Sequence, residues 1–154
     1  MLTIFNKDQK DREDSLICND GKLLTKNDVA RKKIVREFIR KNDLSSAEDY
    51  FMAGMIFHHG RSIRDSTTAV RLLKKSHEME FPKALALYAM CLDRLLIKQG
   101  HKQKFGTQYR RKHSKSEWII LPIDSSTTDT ERKKYNILPL KKLIANVKKL
   151  NSKK

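Results

Sequence analysis

The stretch PKALALYAMCLDRLLIKQG, residues 82–100, decides the fold. From Ala84 to Leu92 nine consecutive residues are apolar. A helix that is apolar on every side is surrounded by protein rather than laid on a surface. Nine residues also fall far short of the roughly 20 that a membrane helix needs. Pro82 suits a first helical position and Gly100 suits the residue just past a helix end. The segment therefore predicts a central helix from Pro82 to Gln99, with the rest of the chain packed around it.

Upstream, helical spacing of Leu2, Phe5, Asp8/Gln9 and Arg12 predicts a helix within residues 1–18. Asn19-Asp20-Gly21 reads as a turn. Thr25-Lys26-Asn27-Asp28 reads as a capping box opening a helix that turns Ile34, Val35, Phe38 and Ile39 inward. Ser45-Ser46-Ala47-Glu48 is a second box, before a helix that stops at Gly60. Asp65 or Ser66 caps the next helix, which presents Ala69, Leu72, Leu73 and Ser76.

Downstream the period changes. Thr107–Lys112 and Glu117–Leu121 form a hairpin around residues 113–116, with Trp118, Ile119 and Ile120 as its apolar content. Thr128-Asp129-Thr130-Glu131 caps a short helix, and Pro139 opens a last helix with Leu140, Leu143, Ile144, Val147 and Leu150 on one stripe. The expected fold is mainly α: one compact helical domain over residues 1–150, a small β-hairpin after the central helix, and a frayed basic tail at 151–154.

Composition narrows the class of protein. The 154 residues suit one domain, and 38% hydrophobic content in amphipathic order argues against general disorder. The N-terminal MLTIFNKDQKDRED becomes charged at Lys7, without the apolar core of a signal peptide. Cys18 and Cys91 are too few for a disulfide scaffold and read as small buried apolar residues. A cytoplasmic protein without a membrane anchor is expected.

Charge is uneven: of a net +16, the last 64 residues carry +12, from seventeen cationic and five acidic side chains. Arg110, Arg111 and Lys112, with Lys115, form one cluster, and the lysines of the final helix form another. Such a surface attracts polyanions, so these three residues are candidate nucleic-acid contacts. The plainer reading is a solvated face.

Asp93 and Arg94 interrupt the central helix with charge. Burying a lone charge costs several kcal/mol, so partners must come from elsewhere. Arg12, Gln103 and Gln108 are expected to converge with Asp93 and Arg94, with His58-His59 nearby. Arg, Asp and Gln side chains in one place suit an anion-binding or acid/base site. A satisfied buried network is the plainer alternative. Phe105-Gly106-Thr107 reads as a tight turn with Gly106 at positive φ, its exposed amides suited to a carboxylate or phosphate.

These polar residues carry a resemblance. Asp8-Gln9-Lys10-Asp11-Arg12 fits DQ-x-x-R. Asp93-Arg94 followed by Gly100 to Gln108 fits DR and G-x-x-Q-x-[YF]-G-T-Q, and Thr127 to Arg132 with Tyr135 to Leu140 fits the tail. Together they resemble an uncharacterised bacterial family, a domain of unknown function, over most of the chain. The resemblance implies a polar pattern and no established reaction. Separately, Phe51 to Gly60, Asp65, Ala69 to Lys75 and Pro82 to Ala84 are similar to about one and a half Sel1-like helical repeats, in which small residues let paired helices pack closely.

No phosphate-loop, dinucleotide-binding, zinc-protease or serine-hydrolase motif occurs. Adjacent His58 and His59 diverge on a helix and are poor co-ligands for one metal, so neither metal nor cofactor is expected. The function expected is a binding module with a polar Arg/Asp/Gln pocket for an anionic small molecule or an acidic protein partner. An enzyme using the same pocket, and nucleic-acid binding through the basic C-terminal half, are the alternatives.

Overall fold

The computed structural model describes residues 1–152, arranged as two compact units, Met1–Ala84 and Leu85–Lys154. The chain is mainly helical, with a small antiparallel hairpin after the central helix. Among the described residues, no helix is long and apolar enough to cross a membrane.

The first unit holds α1 (Leu2–Glu13), α2 (Ser15–Asn19), α3 (Gly21–Arg40), α4 (Ala47–His58) and α5 (Ile63–Glu78). Aspartates set the first boundaries. Asp14 accepts hydrogen bonds from the N–H groups of Leu16 and Ile17, and Asp20 from those of Lys22 and Leu23. Each such cap is worth about 1 kcal/mol. Asn19-Asp20-Gly21 is thus a cap between two helices, and α3 begins one turn before Thr25. The Thr25 hydroxyl instead donates back to the Gly21 carbonyl inside the helix. The box before α4 pairs Ser46 with Asp49, one residue later than expected, because Asp49 and not Glu48 lies three residues from the cap. Ser62 rather than Asp65 or Ser66 caps α5, which leaves the Asp65 carboxylate available for tertiary contacts.

α4 and α5 form the most extensive helix pair of the first unit. Gly54 permits their approach, since a Cβ there would lie 2.6 Å from Leu73 Cγ. Ala69, Leu72, Leu73 and Ser76 are all buried as expected, and the Ser76 hydroxyl donates to the Ala47 carbonyl at 2.7 Å. Val35 is buried on α3, whereas Ile34 is 47% exposed; the inward stripe instead runs through Arg31 and Lys32. Cys91 is buried, but Cys18 is exposed, because α2 is a single helical turn with no buried residue.

α6 (Ala84–Lys98) carries no exposed residue along its length, in keeping with the all-round apolar sequence. Its end is a Schellman motif, with Gly100 at φ +82° and the His101 N–H donating to the Leu96 carbonyl. β1 (Tyr109–Arg110) and β2 (Ile119–Ile120) pair antiparallel, Tyr109 opposite Ile120 and Arg110 opposite Ile119. α7 (Asp129–Lys134) is capped by Thr128, which accepts from the Glu131 N–H. α8 (Leu140–Asn151) starts after Pro139, and the Asp129 carboxylate caps it by accepting from the Leu140 N–H. Asn151 closes α8 and bonds to Trp118; Lys153 and Lys154, the rest of the expected frayed tail, lie outside the described residues.

Candidate functional site

The polar residues picked out in the sequence fall into two clusters, one in each unit. In the second, Asp93 is fully buried and its carboxylate is saturated. Oδ1 accepts from the N–H groups of Lys104 (2.7 Å) and Phe105 (2.8 Å), and Oδ2 from the N–H (2.9 Å) and hydroxyl (2.8 Å) of Thr107. Gly106, at φ +87°, lets the loop present those amides on one side. The turn does hold a carboxylate, and it is the chain's own.

Gln103 is equally occupied. Its Nε2 donates to the carbonyls of Gln108 and Leu121, both at 2.8 Å, while its Oε1 accepts from the Gln108 N–H. The Gln108 amide donates to the Met90 carbonyl and to Thr107 Oγ1. Arg132 is also buried, its Nε donating to the Phe105 carbonyl and its Nη1 to that of Thr127. Tyr135 packs 4.8 Å from the Phe105 ring, centroid to centroid. Asp93, Gln103, Gln108 and the Thr127–Tyr135 segment therefore share one task, which is fixing the 103–108 loop against α6. Arg94, on the same helix, is half-buried.

Arg12 belongs to the first unit and to a different cluster. Its Nη2 reaches Asp8 Oδ1 at 3.2 Å and Asp28 Oδ1 at 2.8 Å. Arg31 is the hub, with Nη1 2.6 Å from Asp11, Nη2 2.7 Å from Asp28 and Nε 3.2 Å from Asp8. His59 Nε2 approaches Asp8 Oδ2 to 3.5 Å, and Gln9 donates to the same oxygen at 2.8 Å. Burial pushes the Asp8 carboxyl upward; His59, Arg12 and Arg31 outweigh it and hold the group below the usual aspartate range. Asp11 is likewise held low, with its hydrogen bonds from Arg31 and Asn27 overcoming desolvation.

Beside this cluster lies a second ion group. The buried Asp65 takes Lys32 Nζ at 2.8 Å and Arg36 Nη2 at 3.0 Å. Desolvation raises the Asp65 carboxyl, and Lys32, Ser62 and Arg36 together bring it below the ordinary value. Gly60 is required here, because a Cβ would fall 2.3 Å from Asp65 Cβ.

A cavity of about 410 Å³ opens between the two groups, lined among others by Arg12, Asp28, Lys32, His59, Arg61 and Asp65. Its volume lies within the range of small-molecule sites. The buried Arg12 Nε lacks a hydrogen-bond partner, while Arg31 Nε and His59 Nε2 meet Asp8 only through the ionic contacts at 3.2 and 3.5 Å. Buried donors are nearly always satisfied in native proteins, so an unpartnered guanidinium nitrogen beside the cavity favours an acceptor there. Arg61 is exposed at the rim and, among the described residues, makes no ion pair or hydrogen bond.

Asp28, Arg31, Lys32, Arg61 and Asp65 do not stand out in the sequence as a site. The i,i+3 spacing of Asp28 and Arg31 is the one local signal, and it coincides with a false capping box. Among the described residues, no group of three or more His, Cys, Asp or Glu side chains could hold a metal ion. No protein-family model, curated protein or solved structure matches the chain.

Proposed function

We propose that this chain is a binding module whose first unit takes a small anionic ligand in the cavity between Arg12, Lys32, His59 and Arg61. The observation that carries this reading is the Arg12 guanidinium, its buried Nε without a hydrogen-bond partner, on the wall of an accessible cavity of ligand size with Arg61 at its rim. Charge supports it. Arg12, Arg31, Lys32, Arg36 and Arg61 face Asp8, Asp11, Asp28 and Asp65, a small cationic excess. The carboxylates fix the guanidinium groups of Arg12 and Arg31 in place, so an incoming anion meets donors that need little further ordering.

Arg61 allows the test to be separated from folding. Thermal melting at constant ionic strength in inorganic phosphate, pyrophosphate or succinate should rise for at least one of the three. Arg61→Ala should melt at the wild-type temperature without ligand and lose most of that rise. No shift with any of the three anions, or a shift that Arg61→Ala leaves intact, would sink the proposal.

A further inference from the structure

The basic second unit carries a surface that the cavity of the first unit does not explain. Tyr109 is 47% exposed and meets the chain's one tryptophan edge-on, Trp118, with ring centroids 5.5 Å apart. The Arg111 guanidinium lies over the Trp118 ring, 4.8 Å from its centroid, and donates to the Ser114 carbonyl. Strand alternation places Tyr109, Arg111 and Trp118 on one face of the hairpin and Arg110 and Ile119 on the other. Of the three basic residues expected to bind nucleic acid, Arg111 thus shares a face with the aromatic pair and Arg110 does not.

α8 is fastened to that hairpin. Asn151 Oδ1 accepts from the Trp118 N–H at 2.7 Å, and its Nδ2 donates to the Trp118 carbonyl at 3.1 Å. Between helix and hairpin lies a slot of about 210 Å³, lined by Tyr109, Leu143, Asn146, Val147 and Leu150 together with Gly106 and Thr107. It is smaller than a drug-sized pocket and suits one planar ring. Asn146 supplies an amide that can both donate and accept. Lys142 and Lys149, four residues before and three after it, fall on the same helix face one turn away on each side. Both are exposed.

We infer that this face of the second unit binds single-stranded nucleic acid, seating one base in the slot against Tyr109 and Asn146 while Arg111, Lys142 and Lys149 hold the flanking phosphates. A basic track beside an exposed aromatic is what sequence-tolerant single-strand binding uses. A duplex keeps its bases stacked and could not fill the slot. The site is independent of the anion cavity.

The test is fluorescence anisotropy of the full chain with a short labelled oligouridylate, at salt from about 50 to 200 mM. Tyr109→Ala should weaken binding about tenfold at any one salt concentration and leave the salt slope unchanged. The Lys142→Gln/Lys149→Gln pair should instead make the slope shallower by about 1.4, at about 0.7 per phosphate contact. Trp118 fluorescence should change on binding. If Tyr109→Ala disturbs the hairpin, Asn146→Leu on the exposed face of α8 removes the amide and should weaken binding as well. Wild-type affinity in both Tyr109→Ala and Asn146→Leu would reduce the surface to unspecific charge and overturn the inference. So would a duplex bound as tightly as the single strand, or phosphatidylserine vesicles bound when the oligonucleotide is not.

Discussion

Asp93 Oδ2 receives both the N–H and the hydroxyl of Thr107, at 2.9 and 2.8 Å, while its Oδ1 receives two further amides. A buried carboxylate with four donors needs no cationic partner, because the donors replace its hydration. Asn in its place would turn an NH₂ group toward two of those donors. Asp93→Asn should therefore lower the free energy of unfolding by about 3 kcal/mol, the cost of stranding buried polar groups. Urea denaturation at neutral pH reads this directly, and a loss below about 1 kcal/mol would mean that the 103–108 loop is held by other contacts.

Two glycines of the first unit separate two kinds of crowding. At Gly54 an added Cβ meets the Leu73 side chain, which can change rotamer, so Gly54→Ala should cost about 1–3 kcal/mol. At Gly60 the Cβ meets Asp65 Cβ, which moves only with its backbone. Displacing Asp65 would leave Lys32 buried without its carboxylate, so Gly60→Ala should cost about 3–5 kcal/mol. Melting temperatures of the two variants should fall in that order, and the reverse order would contradict the packing described.

The Asp8, Asp11 and Asp65 carboxyls lie below the ordinary 3.8 in the folded protein. Their contribution to stability is complete above that value and is lost as pH falls through their lower folded values. The chain should keep its melting temperature from neutral pH to about 5 and destabilise steeply below 4. Arg31→Met removes the guanidinium shared by Asp8 and Asp11, and should flatten that acid limb while lowering stability at pH 7. An acid limb of unchanged slope in Arg31→Met would show that the arginine does not set these carboxyls.

Cys18 and Cys91 should behave as opposites toward a thiol reagent. Cys18 is exposed, whereas burial pushes the Cys91 thiol up to about 12. At pH 8, Ellman's reagent should titrate one thiol at once and the second only as the protein unfolds. Rapid reaction of both would place Cys91 in a segment that opens readily.

Much of the fold was legible because the signals are local. The all-apolar run at 84–92 marked the helix that is nowhere exposed, Gly100 marked its end, Gly106 took the positive φ expected of it, and the hairpin closed where Trp118, Ile119 and Ile120 begin a second apolar run. Cap assignments slipped where two candidate residues lay within a turn of each other. Asp20 and Ser62 cap where Thr25 and Asp65 were expected to; Thr25 lies inside α3, and the Asp65 carboxylate pairs with Lys32 and Arg36.

By itself, then, the sequence determined the helical class, the hairpin and the need of Asp93 for partners, since each follows from neighbours within a few turns or from the cost of burying a charge. Tertiary structure alone decided which charges meet. Arg12 finds Asp28, Arg31 finds Asp11 and Lys32 finds Asp65 across separations of 16, 20 and 33 residues. Nothing in helical period specifies such pairs, because any exposed aspartate could pair with any arginine until packing fixes which helix faces stand opposite.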